Sequence, residues 1–396
     1  SRAMNINTIK RPKPRFQTAY WSSLNIQAYG RDNLYPQRMF DLIRNSSFGG
    51  ICCDRYETFI EGNGLRNLAF SEYECNRRGD TVDDLFRLIA QDMALYHGFA
   101  LHVNYNMMCE IVEVNHVPFQ DCRLEEESAD GKVVYINVHP DWSGHKTRKG
   151  NVIRVNQKNV KKVHVFNPRK NVVLAQIQKA GGIESYRGQI LWFSMDGQWE
   201  YPVTIYDKVA TDLSIDEGLG NVKYRNVRNN FLVAGMLIHK KGNSLGIDEN
   251  GNEIEDDDTD AISDSLETFQ GDENACSIMD VTIQQDEDKP EFESFEASNF
   301  DKKFDTTEKS TCMRIFSAFG QEPWYRILNG SLGFESDVLT QAYEYYNSYV
   351  SRERRAISRV LKKIFTHWFE NANPSDNYDI EPLQYVSVEN NQQIKK

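Results

Sequence analysis

The eight histidines, His97, His102, His116, His139, His145, His164, His239 and His367, are the first residues to weigh for chemistry. None falls into HExxH, HxH or a His–Cys spacing, so no local pair can reach one metal from a single helix face or strand. The stretch HPDWSGHK (139–146) sets a carboxylate beside basic residues, as a nuclease site does. Such a site needs a second acid and a lysine on the same sheet, and no Asp or Glu occurs from 143 to 180. Asp256, Asp258, Asp260, Asp264 and Glu267 occupy positions 1, 3, 5, 9 and 12 of a calcium loop. Ala261 stands where the sharp turn of that loop demands glycine, and the pattern continues as an amphipathic helix. An acid-capped helix is therefore the reading. EGNGL (61–65) closes a helix and follows no strand, and there is no GxSxG and no P-loop. Cys52, Cys53, Cys75, Cys109, Cys122, Cys276 and Cys312 are scattered without a CxxC pair, which points to reduced thiols and not to a disulfide or zinc framework. We expect no catalytic residue, no metal and no cofactor.

Charge is distributed unevenly. The net charge of −12 combines a −19 segment from Asp248 to Glu308, with 22 acids against Lys289, Lys302 and Lys303, and a remainder near +7. Residues 143–180 carry ten Lys or Arg and no acid; Lys146, Arg148, Lys149, Lys158, Lys161 and Lys162 are its densest part. Such polarity suits charge-complementary docking on one surface and repulsion of polyanions on another. The basic stretch lies in alternating β-runs with few aromatics, unlike a stacking platform for single strands. No apolar run approaches the roughly 20 residues of a membrane helix. The N-terminal SRAMNINTIKRPKPRF lacks the apolar core of a secretory signal.

Residues 37–62 are helical with a break at Gly49–Gly50, closed by Gly62 and Gly64. Residues 81–97 form an amphipathic helix capped by Thr81 and Asp84 and stopped by Gly98. From 99 to 193 the runs FALHVNY, CEIVEVN, KVVYINV, NVIRVN, KKVHVFN, NVVLAQI and GQILWFS predict a largely antiparallel sheet. Pro202 opens a helix of about 28 residues, roughly 40 Å long at ~1.5 Å per residue. A small acidic α/β module follows at 232–300, with β-runs AGMLIHKK, CSIMDVTI and FESFEA and the helix TDAISDSLETFQ. Helix resumes near Lys303 and ends at GQEP. NGSLGFESD (329–337) then separates it from one long helix, Asp337 to Phe369. The fold class is α+β. Thin apolar stripes on long helices leave other faces uncovered, which predicts that neighbouring copies cover them.

The order of these motifs resembles the portal proteins of tailed, long-tailed-type bacteriophages. YGRDNLYPQRMFDLIRNS (29–46), YETFIEGNGL (56–65), DMALYHGFALHVNYN (92–106) and IVEVNHVPFQDCRL (111–124) resemble the wing of that family. YPVTIYDKVATDLSIDEGLGNVKYRNVRNNF (201–231) resembles its first stem helix, and FDTTEKSTCMRIFSAFGQEP (304–323) its second. The likeness covers about 29–370. It implies a wing at 1–202, stem helices at 203–231 and 301–322, and a clip at 232–300. A tunnel loop region follows at 323–336, then a long helix returning to the wing with a short C-terminal crown or tail at 337–396. The tunnel-loop tip would be Asn329, Gly330, Ser331, Leu332, Gly333 and Phe334, and the basic residues 146–162 would lie on the wing surface.

The resemblance further implies a homo-oligomeric ring, usually of about twelve copies, at one vertex of a virion and assembled in host cytoplasm. Double-stranded DNA would pass through its channel without sequence specificity. Its partners would be the terminase large subunit, a head–tail adaptor, and major capsid or scaffolding protein, with no membrane. Two other readings stay open: a phage DNA-processing enzyme, such as a nuclease or maturation protein, and a ring-forming scaffold outside phages.

Overall fold

A computed structural model of the chain describes residues 20–21, 24–128, 131–146, 152–228, 236–240, 279–283, 300–332, 336–369 and 374–385. Two units result, one from Ser1–Ala210 with Ile315–Lys396, the other Thr211–Arg314.

In the first unit, β1 (Tyr20–Trp21) and β2 (Ile26–Gln27) form an antiparallel ribbon. α1 (Tyr35–Asn45) and α2 (Ser47–Glu61) follow. The break between them falls at Ser46, not at Gly49–Gly50, because the Ser46 hydroxyl accepts the Gly49 amide at 3.0 Å and caps α2. A good N-cap outweighs the weak helix preference of two glycines in the first turn. After α3 (Leu68–Ser71), α4 (Val82–Tyr96) opens with a complete capping box between Thr81 and Asp84. It stops one residue earlier than expected, at His97 in the left-handed region, and Gly98 already starts the first long strand.

That strand is β3 (Gly98–Tyr105), followed by β4 (Ile111–Val117), β5 (Cys122–Leu124), β6 (Tyr135–Val138), β7 (His145–Lys146), β8 (Val152–Ile153), β9 (Lys161–Val165) and β10 (Gln189–Ser194). Six of them form a sheet in the order β4-β3-β10-β9-β6-β5, while β7 and β8 make a separate short ribbon. NVVLAQI is not a strand: it lies in α5 (Lys170–Ala180), which buries Val173 and Ile177, one turn apart. Gly181, at φ 87°, ends the helix, its amide reaching Gln178 O. A short apolar run is ambiguous between strand and helix, and here the glycine cap decides. The helical crossover has a topological consequence, since β9 and β10 pair in parallel while every other pairing in the sheet is antiparallel.

Pro202 does not open a helix. Residues 201–206 are held irregular by buried phenols: Tyr201 donates to Gln27 O at 2.6 Å and accepts the Leu124 amide at 2.8 Å, and Tyr206 donates to Leu95 O at 2.7 Å. Helix α6 therefore runs Ala210–Arg228. Its partner is α7 (Phe300–Ala318). Within the second unit, Asp212 meets Arg314 at 3.3 Å and Lys223 pairs with Glu308, so the two helices run antiparallel. The same unit contains β11 (Met236–Lys240) and β12 (Met279–Ile283), paired in parallel. The calcium-like residues Asp256–Glu267, the helix TDAISDSLETFQ, the run FESFEA and Cys276 lie outside the described residues.

Back in the first unit, α8 (Glu322–Leu328) occupies part of what the sequence suggested was loop; Pro323 near its start costs no hydrogen bond. The expected single C-terminal helix is two, α9 (Ser336–Tyr349) and α10 (Ser351–Phe365). Arg354 Nη2 takes the Asn347 carbonyl at 2.6 Å and the Ser351 hydroxyl takes Ser348 O at 2.8 Å, and the helix breaks where these side chains replace backbone amides. Residues 379–381 pair with the chain after α2, Asn63 N–H donating to Glu381 O and Arg66 N–H to Asp379 O, both at 2.9 Å. Ile380 bridges to Leu65, and the Asn347 side chain donates to Leu383 O at 2.8 Å.

Candidate functional site

The tip at 329–332 is positioned from below by one buried amide. Gly320, at φ 66°, turns the chain after α7; a Cβ there would sit 2.6 Å from the Tyr349 ring. The next residue, Gln321, is fully buried, its Nε2 donating to Cys52 O and to Tyr346 Oη, both at 2.8 Å. Arg55 Nη1 donates to Gln321 Oε1 at 2.8 Å, and its guanidinium lies over the Trp324 ring. Trp324 packs edge-on to Phe59 and Tyr346, which seats α8 on α2 and α9.

With α8 fixed, its end curls back on itself. Gly330 takes φ 75°, and the Ser331 and Leu332 amides both donate to Arg326 O, at 2.8 and 3.1 Å. Asn329 Oδ1 accepts the Ser331 amide at 3.1 Å. Asn329, Gly330 and Ser331 are exposed, whereas Leu332 is half-buried. Gly333 and Phe334 lie outside the described residues. The apolar side chain offered to solvent is Leu328, 60% exposed, beside buried Ile327. Sequence reasoning missed it, although two adjacent apolar residues on a one-sided helix cannot both face inward. Residues 328–331 carry no charge, so the tip can touch a polyanion without adding an ionic contact.

Of the six basic residues, the side chains of Lys158, Lys161 and Lys162 are described. Lys146 belongs to β7 and its side chain lies outside the description, as do Arg148 and Lys149. Lys158 is exposed in the turn before β9. Lys161 and Lys162 are adjacent on β9 and so point to opposite faces. Lys162 Nζ is 2.5 Å from Glu125 Oε1 and lies over the Tyr135 ring, so its charge is already partnered.

A further functional-looking cluster escaped the sequence. Arg123 is completely buried, yet its hydrogen bonds go to neutral oxygens: Asn33 Oδ1 and O at 2.6 Å, Cys122 O at 2.7 Å, Gln120 O at 2.8 Å and Gln37 Oε1 at 3.2 Å. Tyr29 and Trp142 flank the guanidinium. Trp142, the centre of HPDWSGHK, donates its indole N–H to Asp121 O at 2.9 Å, while Asp141 accepts from the Ser143 hydroxyl in its own turn. Within that motif the buried wedge is Trp142. Nearby, Asp92 lies 2.7 Å from His116 Nε2, and burial raises its carboxyl above the usual range despite that bond. Burial also lifts Asp121 to about 6, with Arg123 opposing and Asp92 adding to the rise. Among the described residues no three His, Cys, Asp or Glu side chains gather around a common point as metal ligands would.

No family model and no curated protein matches the chain. Several solved structures do. A chain of the virion of a native gene transfer agent (GTA) particle is 13% identical with a TM-score of 0.44, over 91% of this chain and 88% of that one. A chain from the neck of the native GTA particle, computed with C12 symmetry, is 13% identical with a TM-score of 0.46, over 85% and 82%. A chain from the neck of the empty particle, computed with C6 symmetry, is 13% identical with a TM-score of 0.44, over 91% and 88%.

Proposed function

We propose that this chain is a portal ring subunit, a structural protein without catalytic activity. About twelve copies would enclose an axial channel for double-stranded DNA entering and leaving a phage-like head. The observation that carries this reading is the antiparallel α6–α7 pair. Ile215 (37%), Met313 (47%) and Tyr224 (64%) stay exposed in the single chain. Copies arranged around an axis would cover them. The −19 segment spans this same unit, and an acid-rich wall lets phosphates slide because it offers few cations to hold them. In this reading 203–231 and 301–322 are the stem, and 232–300 the clip that docks the terminase large subunit and later a head–tail adaptor. Residues 1–202 form the wing facing capsid or scaffolding protein, and 329–334 the tunnel loop.

Mass in solution tests it. Purified protein is expected near about twelve times 45.9 kDa, with an axial hole in electron micrographs. A monomer at micromolar concentration across salt conditions overturns the proposal. A monomer that also cleaves DNA with a divalent metal establishes the DNA-processing enzyme instead.

A further inference from the structure

Strand β9 alternates, so Lys162 and His164 share one face while Val163 turns into the core. Helix α5 presents Gln176 and Lys179 one turn apart, and Arg187 follows in the loop before β10. Together with Tyr135, these residues line an open pocket of about 210 Å³.

Val163, Ala180 and the rings of Tyr135 and Tyr186 give the pocket a largely apolar wall, into which Lys162, Lys179, Arg187 and Gln176 bring donors. Lys162 is held by Glu125, but Lys179 and Arg187 have no carboxylate partner among the described residues. Gln176 Oε1 already accepts from Tyr186 Oη at 2.6 Å and from Gln189 Nε2 at 2.9 Å, which leaves its NH2 group as the donating end. The Nδ1 atom of His164 is buried with no hydrogen-bond partner. Burial, and then the charges of Lys179 and Lys162, depress the pKa of this imidazole, with Glu125 opposing. A buried ring nitrogen without a partner is costly, and in the tautomer that carries its proton on Nδ1 it would donate to an anion.

We infer that this pocket binds a phosphate group. His164 comes from strand β9 on one side, and Gln176 and Lys179 from α5 with Arg187 from the loop before β10 on the other. A tetrahedral phosphate has oxygens for each direction, whereas a carboxylate presents only two, in one plane. The volume leaves room for the group esterified to the phosphate. That group is either a small molecule or one nucleotide of a DNA backbone. The inference uses only the first unit and stands apart from ring formation.

The test is calorimetric titration of the full-length protein with inorganic phosphate, and anisotropy with a short fluorescent DNA duplex. Wild type is expected to give a saturable phosphate isotherm that Lys179→Gln with Arg187→Gln weakens at least ten-fold, while Lys158→Gln, outside the pocket, leaves it unchanged. If duplex affinity falls in the same double variant and phosphate competes with duplex, the natural source is a DNA backbone. Unchanged duplex affinity with lost phosphate binding identifies a small phosphate ester. Lys179→Gln alone, on an exposed helix end, gives the same reading should the double variant fold poorly. The inference is overturned if wild type shows no saturable phosphate binding. A poly-glutamate peptide binding through Lys179 and Arg187 where phosphate does not would overturn it too.

Discussion

Gln321 Nε2 and Tyr346 Oη lie 2.8 Å apart, and the same phenol donates to Phe319 O at 3.0 Å. One buried amide and one buried hydroxyl thus join the end of α7, the start of α8 and the last turn of α9. Neither can be deleted without stranding donors or acceptors, because water does not reach them. Gln321→Ala is expected to cost about 2–3 kcal/mol and Tyr346→Phe about 1–2 kcal/mol in chemical denaturation. The double variant should cost clearly less than the two added, since both remove the shared bond. Additive losses would mean that the pair acts independently.

Asp121 gives a pH test. Its folded carboxyl titrates at about 6, against an ordinary 3.8, chiefly because burial penalises the charge. A carboxyl whose folded pKa is raised favours the fold while protonated. That contribution is complete below about pH 3.8 and is lost as pH rises through about 6. Asp121→Asn stays neutral throughout, so its melting temperature should match wild type near pH 3.5 and exceed it at pH 7.5. A variant less stable than wild type at pH 7.5 would show that the charge is held by Arg123 more strongly than burial opposes it.

Tyr224 and Met313 supply the assembly test in residue form. If neighbouring copies cover them, Tyr224→Asp and Met313→Asp should each shift sedimentation from ring to smaller species, leaving helix content by circular dichroism unchanged. Intact rings from both variants would remove the stem interface from these faces.

The elements with strong local punctuation are legible in the sequence itself. Thr81 and Asp84 announce α4, and the alternation of FALHVNY and GQILWFS announces β3 and β10. What escaped depends on distant partners. Arg123 looks like an exposed strand charge until Asn33, ninety residues away, is folded over it. The break between α9 and α10 has no glycine or proline to mark it; it arises because Arg354 reaches back to Asn347 O. The site residues divide the same way. The turn at Gly330 is written in its sequence, but the exposure of Leu328 and the neutralisation of Lys162 by Glu125 are tertiary facts.

That neutralisation changes how the basic surface should be probed. Reversing Lys162 would place two carboxylates where an ion pair now sits, and a loss of function could reflect folding alone. Lys158→Glu with Lys161→Glu avoids this, both being exposed. If the wing meets capsid or packaged DNA here, the double variant should form rings yet enter heads poorly. Normal incorporation into heads would place the contact elsewhere.

The last prediction concerns the tip. Gly330 adopts a left-handed φ with open space around a hypothetical Cβ, so Gly330→Ala should cost only about 1 kcal/mol, from backbone strain and not from a clash. The tip's geometry rests on two amides sharing Arg326 O, and it carries no charge. Inserting Gly-Ser pairs after Ser331 would lengthen it while α8 stays pinned by Gln321 and Trp324. Loop closure costs only about 0.6 kcal/mol for each doubling of length, so rings should assemble normally. A channel role predicts defective DNA packaging or leakage of packaged DNA from those heads, because a longer neutral tip no longer meets its neighbours or the duplex at a fixed radius. A mere surface turn predicts no change in either. Wild-type packaging and retention with the insertion would therefore remove 329–334 from the channel, while leaving the α6–α7 interface to be judged by its own variants.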